Sequence, residues 1–232
     1  MNVSGTSAFV AGGTSGLGAA TARVLAAHGA SVVVLARNAR RPGPKAQPRI
    51  AFVAGDVSDP AAVSSAIEQA AIRAPLRSLV VCAGFGDHQR TIGRDGCYES
   101  ACDLDRFRAV VETNLVGAFN CVRLAATVMS RNRADADGQR GAIVLTSSVS
   151  AYDGQIGQAA YAASKAALHG LVLPVARDLA PAGIRINVLV PGAFDTPIYG
   201  PDGVGEALRE RLSEAVVFPK SLFGYSGRAW LM

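Results

Sequence analysis

Six short and almost unbroken apolar runs recur along this chain: Ser7–Ala11, Ser31–Ala36, Ile50–Ala54, Ser78–Cys82, Ala142–Thr146 and Arg185–Val190. A strand that is apolar on both faces must be covered on both faces, which is the situation of a strand inside a parallel sheet. Stretches with helical spacing lie between and after these runs: Ala19–Ala27, Pro60–Arg73, Phe107–Met129, Ala159–Ala180 and Val204–Val216. Strand and helix in alternation predict an α/β fold with a doubly wound parallel sheet. At 232 residues one such domain is the economical reading. The polar or Gly/Pro-rich connections Arg37–Arg49, Gly84–Asp103 and Arg131–Arg140 are too short to separate a second one.

Composition removes several classes of function. Half of the residues are hydrophobic, yet no uninterrupted run approaches the roughly 20 needed to cross a bilayer. Met1-Asn2-Val3-Ser4-Gly5 leads into a strand without the charged and apolar regions of a signal peptide, so the expected location is the cytoplasm. Cys82, Cys97, Cys102 and Cys121 form no CxxC pair, and His28, His88 and His169 are scattered; reduced thiols and no metal site are expected. The net charge of +5 would suit an anionic partner. With no helix-turn-helix, no RNA-binding aromatic pair and no long basic run, that partner is expected to be a phosphate-bearing small molecule rather than nucleic acid or a membrane.

Ser7–Ala11 runs into Gly12-Gly13-Thr14-Ser15-Gly16-Leu17-Gly18, and a helical stretch follows. Between a strand and a helix, glycines let the backbone turn sharply and approach a pyrophosphate, which the free N–H groups of the helix attract. Gly12, Gly16 and Gly18, with Thr14, Ser15 and Leu17 between them, are the candidate phosphate loop. The spacing Gly-x-x-x-Gly-x-Gly differs from Gly-x-Gly-x-x-Gly, and no Gly-Lys-Ser/Thr is present, so an ordinary tight turn is the alternative.

A second constellation carries chemistry: Ser147-Ser148, then Tyr161-Ala162-Ala163-Ser164-Lys165. Tyr161 and Lys165 are four apart in a helical run and project from one face. A free tyrosine titrates near pKa ~10, and an adjacent positive charge lowers that value by stabilising the phenolate. Such a phenol can exchange a proton with a carbonyl or an alcohol while a second hydroxyl, Ser148, holds the same oxygen. Taken alone, a tyrosine and a lysine on a helix are more often solvated surface.

The glycine pattern, Cys82-Ala83-Gly84, Asn114, Ser148, Tyr161, Lys165 and Pro191-Gly192 together resemble the short-chain dehydrogenase/reductase family in order and approximate spacing. Gly138 through Ser148, Asp153 through Tyr161, and Ala176 through Pro181 resemble its type-2 3-hydroxyacyl-CoA dehydrogenase branch. The resemblance runs from Thr6 to Pro219 and is strongest after Asn114. It implies a Rossmann-type sheet in one domain, residues 1–220, and reversible hydride transfer between nicotinamide and a carbonyl or secondary alcohol. In that scheme Ser148 polarises the oxygen, Tyr161 exchanges the proton, and Lys165 tunes the phenol and holds ribose hydroxyls. Asn114 helps to order a water of the proton relay, with plain packing inside the helix as the alternative. Asp56 and Val57 match an adenine-contacting pair, Cys82-Ala83-Gly84 approach the adenosine ribose, and Pro191, Gly192 and Thr196 embrace the nicotinamide. Asp56 has a plainer alternative as the cap of a turn. Gln155 is a candidate substrate contact, as a polar loop residue between Ser148 and Tyr161. Phe194, Ile198, Tyr199, Val204, Leu208 and Leu212 read as an amphipathic cover, suited to a partly hydrophobic substrate such as a 3-hydroxyacyl-CoA or a hydroxysteroid-like alcohol.

Two departures qualify the resemblance. At the end of the second strand an NAD enzyme usually carries an acidic residue for the adenosine ribose; here Ala36 precedes Arg37. An arginine fork suits a 2′-phosphate, so NADP is expected, with NAD, the cofactor of the type-2 branch, as the alternative. Arg40, Arg41, Lys45 and Arg49 extend the basic stretch. After Phe218-Pro219-Lys220 the tail from Ser221 to Met232 neither alternates like a strand nor resembles the family, whose last strand is expected to be missing. A homodimer through the helices carrying Asn114 and Tyr161 would then remain when the tetramer contact is lost. The other class of function open to such a chain is a cofactor-binding interaction protein that does not turn over.

Overall fold

The computed structural model describes residues 2–38, 48–194, 196 and 198. The expectations for Arg40, Arg41, Lys45, the helix Val204–Val216 with Tyr199, Leu208 and Leu212, the missing last strand and the tail from Ser221 lie outside these residues.

Strands β1 (Ser7–Ala11), β2 (Ser31–Ala36), β3 (Ile50–Ala54), β4 (Leu76–Val81), β5 (Gly141–Thr146) and β6 (Ile184–Leu189) form one parallel sheet in the order β3-β2-β1-β4-β5-β6. Helices α1 (Gly16–Ala27), α2 (Pro60–Arg73), α3 (Leu104–Val111), α4 (Gly117–Met129) and α5 (Ala159–Leu179) cover its faces. All five residues of β1 are buried because the sheet is covered on both sides. Phe9, Val33, Leu79 and Ile143 pack into a large core with α2 and α4, whereas Ala8, Val10, Val32 and Val34 meet Ala22 and Ala26 of α1. The Rossmann-type sheet expected from the alternating runs is therefore present. After β3 the chain returns to the other side of β1 and enters β4, so a crevice opens beyond the carboxyl ends of these two strands.

Boundaries differ from the expectation where a packing or capping contact decides them. Helix α2 starts as expected because Asp59 Oδ1 accepts from the Ala61 N–H at 2.8 Å and Pro60 stands at the first helical position. Helix α1 begins at Gly16 rather than Ala19, which places the last two loop glycines in its first turn. The single helix expected over Phe107–Met129 is instead α3, a π-helical turn Glu112–Val116 and α4. That wider turn carries Asn114, 1 % exposed, toward the carboxyl end of β4. Such bulges recur at functional sites.

Candidate active site

The crevice holds a cavity of about 430 Å³, with the glycine loop at one end and α5 at the other. Gly12 has φ +79° and Gly16 φ +51°, a region that favours glycine. A Cβ on Gly12 would stand 2.5 Å from the Ala83 nitrogen, and one on Gly18 would collide with the Gly12 carbonyl oxygen. Gly13 closes the packing beneath: its Cβ would meet Val34 Cγ1 at 2.8 Å. The loop is tied down by Gly12 N–H to Leu35 O at 2.8 Å and Ala83 N–H to Ala11 O at 2.9 Å. Ser15, at the N-cap of α1, makes no side-chain capping bond, and the first turn has no acidic residue. Its amide donors are therefore left to an anion. A cradle that any side chain would fill, at an uncapped helix start, fits the pyrophosphate of a dinucleotide.

At the other end stand Ser148, Tyr161 and Lys165, all three lining the cavity. Ser148, directly after β5 and Ser147, accepts from the Ser150 N–H at 3.1 Å, which leaves its own hydrogen for an oxygen in the cavity. Lys165 Nζ lies 5.7 Å from the centre of the Tyr161 ring, so the spacing of four does place ammonium and phenol side by side. The ammonium donates to the Thr146 carbonyl at 2.7 Å and is 5 % exposed. Burial pushes its pKa down to about 8 from 10.5. Among the described residues no carboxylate pairs with it. A buried cation without a counter-ion favours any neighbouring group that can become an anion.

Asn114 sits behind this cluster with both amide hydrogens engaged. Its Nδ2 donates to Phe85 O and to Ser164 Oγ, both at 3.0 Å, and its Oδ1 accepts from the Phe85 N–H at 3.0 Å. Ser164 Oγ in turn donates to the Tyr161 carbonyl at 2.8 Å. Both amide hydrogens are thus used to bind the loop after β4 to α5. The side chain thereby braces the site.

Of the other expected cofactor residues, Ser15, Leu17, Arg37, Cys82, Gly84, Pro191, Gly192 and Thr196 line the cavity, and Ala83 supplies backbone beneath Gly12. The Arg37 guanidinium lies 6.0 Å from the Phe85 ring centre. Thr14, Asp56 and Val57 do not line it. Asp56 Oδ1 caps a turn through the Ser58 N–H at 3.0 Å and Ser58 Oγ at 2.8 Å, and these bonds with Arg37 nearby draw its carboxyl below the usual range despite the opposing desolvation. Val57 is buried against Gly117 and gives its carbonyl to Asn120. Gln155 is exposed and lies outside the cavity wall; Gln158, the residue before α5, occupies the wall instead. The loop folds back between them, with the Gln158 N–H on the Gln155 carbonyl at 3.0 Å. Thr146, Phe85, Gly86 and His88 also line the cavity. Only Thr146 had a signal in the sequence, as the end of a central strand.

A dinucleotide cradle opening onto a phenol beside a buried ammonium defines the protein as an oxidoreductase of the nicotinamide-dependent class. The family model of the short chain dehydrogenases matches residues 6–205, and the chain belongs to that family. It is similar to 3-hydroxyacyl-CoA dehydrogenase type-2 of Drosophila melanogaster, 42% identical over 218 residues, which is 92% of this chain and 84% of that protein. The human protein of the same name is 39% identical over 228 residues, with 95% and 85% covered. The crystal structure of 3-hydroxyacyl-CoA dehydrogenase type-2 from Mycobacterium avium superposes with a TM-score of 0.79 at 40% identity, over 90% of this chain and 81% of that one. A short chain dehydrogenase from Burkholderia cenocepacia J2315, solved in complex with NADP, gives a TM-score of 0.70 at 26% identity over 86% and 77%. Among the described residues no helix is long and apolar enough to cross a membrane, and no three His, Cys, Asp or Glu side chains gather in a metal-binding group.

Proposed function

We propose that the protein interconverts a secondary alcohol and its carbonyl with NADP, acting on a 3-hydroxyacyl-CoA or a related partly hydrophobic alcohol. The observation that carries this reading is the meeting of Ser148, Tyr161 and Lys165 in the cavity that the glycine cradle also lines. Gly12, Gly16 and Gly18 would hold the pyrophosphate and Pro191, Gly192 and Thr196 the nicotinamide, which would supply a hydride to the carbonyl carbon or take one from the alcohol carbon. In the reducing direction Ser148 gives its hydrogen to the substrate oxygen, and Tyr161 delivers the proton that the oxygen needs. Lys165 stabilises the phenolate left behind and offers its ammonium to ribose hydroxyls. Asn114 holds residues 84–85 and the Tyr161 turn in place.

Arg37 supports the choice of NADP, since it lines the cavity where an acidic residue would be needed for an unphosphorylated ribose. Gly86, His88, Gln158, Phe194 and Ile198 would form the substrate side, with the last two giving it apolar surface. The same reading makes residues 1–220 one domain holding both sites, working in the cytoplasm as a homodimer or homotetramer. The test is Tyr161→Phe in purified protein, with NADPH and NADH titrated and acetoacetyl-CoA and simple ketones offered. Turnover should vanish while nucleotide affinity changes little; a Tyr161→Phe protein that still turns over would sink the proton-transfer role.

A further inference from the structure

Behind the site a chain of hydrogen bonds joins the end of β5 to α5, and the proposed reaction makes no use of it. Ser147 Oγ donates to the Lys165 carbonyl at 2.9 Å and lies 2.8 Å from His169 Nε2. On the other side of the imidazole, Nδ1 is 2.8 Å from the Tyr152 hydroxyl. The one serine hydrogen fixes the polarity of the rest. Since Ser147 gives it to the carbonyl, Nε2 must carry a hydrogen and donate to Oγ; Nδ1 is then bare and accepts from Tyr152. The two rings meet edge to face, 4.9 Å apart at 84°. Tyr152 is 75 % exposed and Ser147 3 %, so the chain runs from water to the wall of the cavity.

We infer that His169 and Ser147 are positioning residues that set the distance between Ser148 and the Tyr161–Lys165 face of α5. The inference rests on the reading of Ser148 and Tyr161 as partners on one substrate oxygen. The segment bearing Ser148 is held toward β6 by Ser147 N–H to Leu189 O at 2.8 Å and Val149 N–H to Pro191 O at 3.0 Å. Toward α5 a further side-chain tie is Lys165 Nζ on Thr146 O, and that ammonium must be able to turn to ribose and phenolate. Ser147 Oγ ties this segment to α5 through the His169 side chain and the Lys165 carbonyl. It leaves Lys165 able to change partners without losing the spacing of the two hydroxyls.

The experiment compares Ser147→Ala, His169→Leu, the double variant, Tyr152→Phe and His169→Gln with the wild type, using NADPH with acetoacetyl-CoA. His169→Leu and Ser147→Ala should each lower kcat roughly ten- to a hundredfold, the cost of a small misplacement of reacting groups, while the Kd for NADPH stays within about twofold. The double variant should be no worse than Ser147→Ala, which already removes the bond to His169 together with the bond to the Lys165 carbonyl. His169→Gln, whose amide can still donate to Ser147, should recover most of kcat, and Tyr152→Phe should fall between. Unchanged kcat in His169→Leu, additive losses, or losses that follow NADPH affinity or the urea midpoint would overturn the inference. Should the wild type turn over no carbonyl, the functional reading fails separately. Amide hydrogen exchange at residues 148–151 then decides: faster exchange in His169→Leu sustains the link, and equal protection refutes it.

Discussion

Replacing Lys165 with methionine is expected to stabilise the ligand-free protein while abolishing turnover. The ammonium is buried, has no carboxylate partner among the described residues, and is pushed down to about 8 from 10.5. At about 1.4 kcal/mol per pH unit, keeping it charged at neutral pH costs the fold roughly 3 kcal/mol. Methionine fills the same space without charge but loses the bond to the Thr146 carbonyl, about 1 kcal/mol. The net gain is about 2 kcal/mol at pH 7, or a rise in Tm of roughly 4–8 °C for a chain of this size. The gain must also depend on pH. Below pH 8 folded and unfolded chains both carry the charge and the full cost is present. Between 8 and 10.5 the folded lysine is neutral while the unfolded one still binds its proton, so wild-type stability rises with pH through that window. From pH 7 to pH 9 the lysine returns about 1 kcal/mol, and the advantage of the methionine variant narrows by the same amount. Burial pushes the Cys121 thiol up to about 12, which makes stability fall above pH 9, but this affects both proteins equally and leaves the difference untouched. Urea titrations of the two proteins at pH 7 and pH 9 measure it. A methionine variant that is less stable at pH 7, or a gap that does not change with pH, would refute the reasoning.

Three further outcomes follow from the geometry. Arg37→Ala should weaken NADPH roughly ten- to a hundredfold, as expected for a lost charge-assisted contact, and leave NADH within about twofold; equal effects on both nucleotides in fluorescence titration would remove the 2′-phosphate assignment. Gly18→Ala drives a carbon into the Gly12 carbonyl oxygen, so it should cost about 1–3 kcal/mol by urea denaturation and abolish nucleotide binding at concentrations that saturate the wild type; retained affinity would show that the cradle is looser than this geometry requires. Asn114→Ala leaves Phe85 and Ser164 without their partners and should cost about 2–3 kcal/mol, with loss of hydrogen-exchange protection at residues 84–86; unchanged protection there would argue against the brace.

What could be read from the chain depended on whether a role follows from residue type and spacing or from the direction in which a side chain points. Tyr161 and Lys165 were legible because a helix fixes positions four apart on one face. Gly12, Gly16 and Gly18 were legible because a strand-to-helix turn near a phosphate excludes side chains. Asp56 was less so, since an aspartate after a strand serves a turn or a ligand equally well, and its Oδ1 does cap the turn at Ser58. The place of Gln155 outside the cavity wall was not legible for a similar reason: the fold-back that presents Gln158 depends on Gly157 at φ +84° and on the Gln89 N–H bond to its carbonyl. The link from Ser147 to His169 spans 22 residues and two elements, and no local pattern announces it. The π-helical turn around Asn114 was missed because helical periodicity continues on both sides of it.

The glycine loop does not stand on β1 alone. Gly12 is pressed against the backbone of Ala83, beyond β4, and about seventy residues of chain lie between the two. During synthesis β1, β2 and β3 can pair early as near neighbours, whereas the floor of the pyrophosphate cradle is laid only when the distant β4 closes onto β1. Pairing at such separation is the slow part of assembling a fold of this kind. The cradle is therefore complete only in chains that have made this long-range closure, and a dinucleotide held there would favour those chains over the rest.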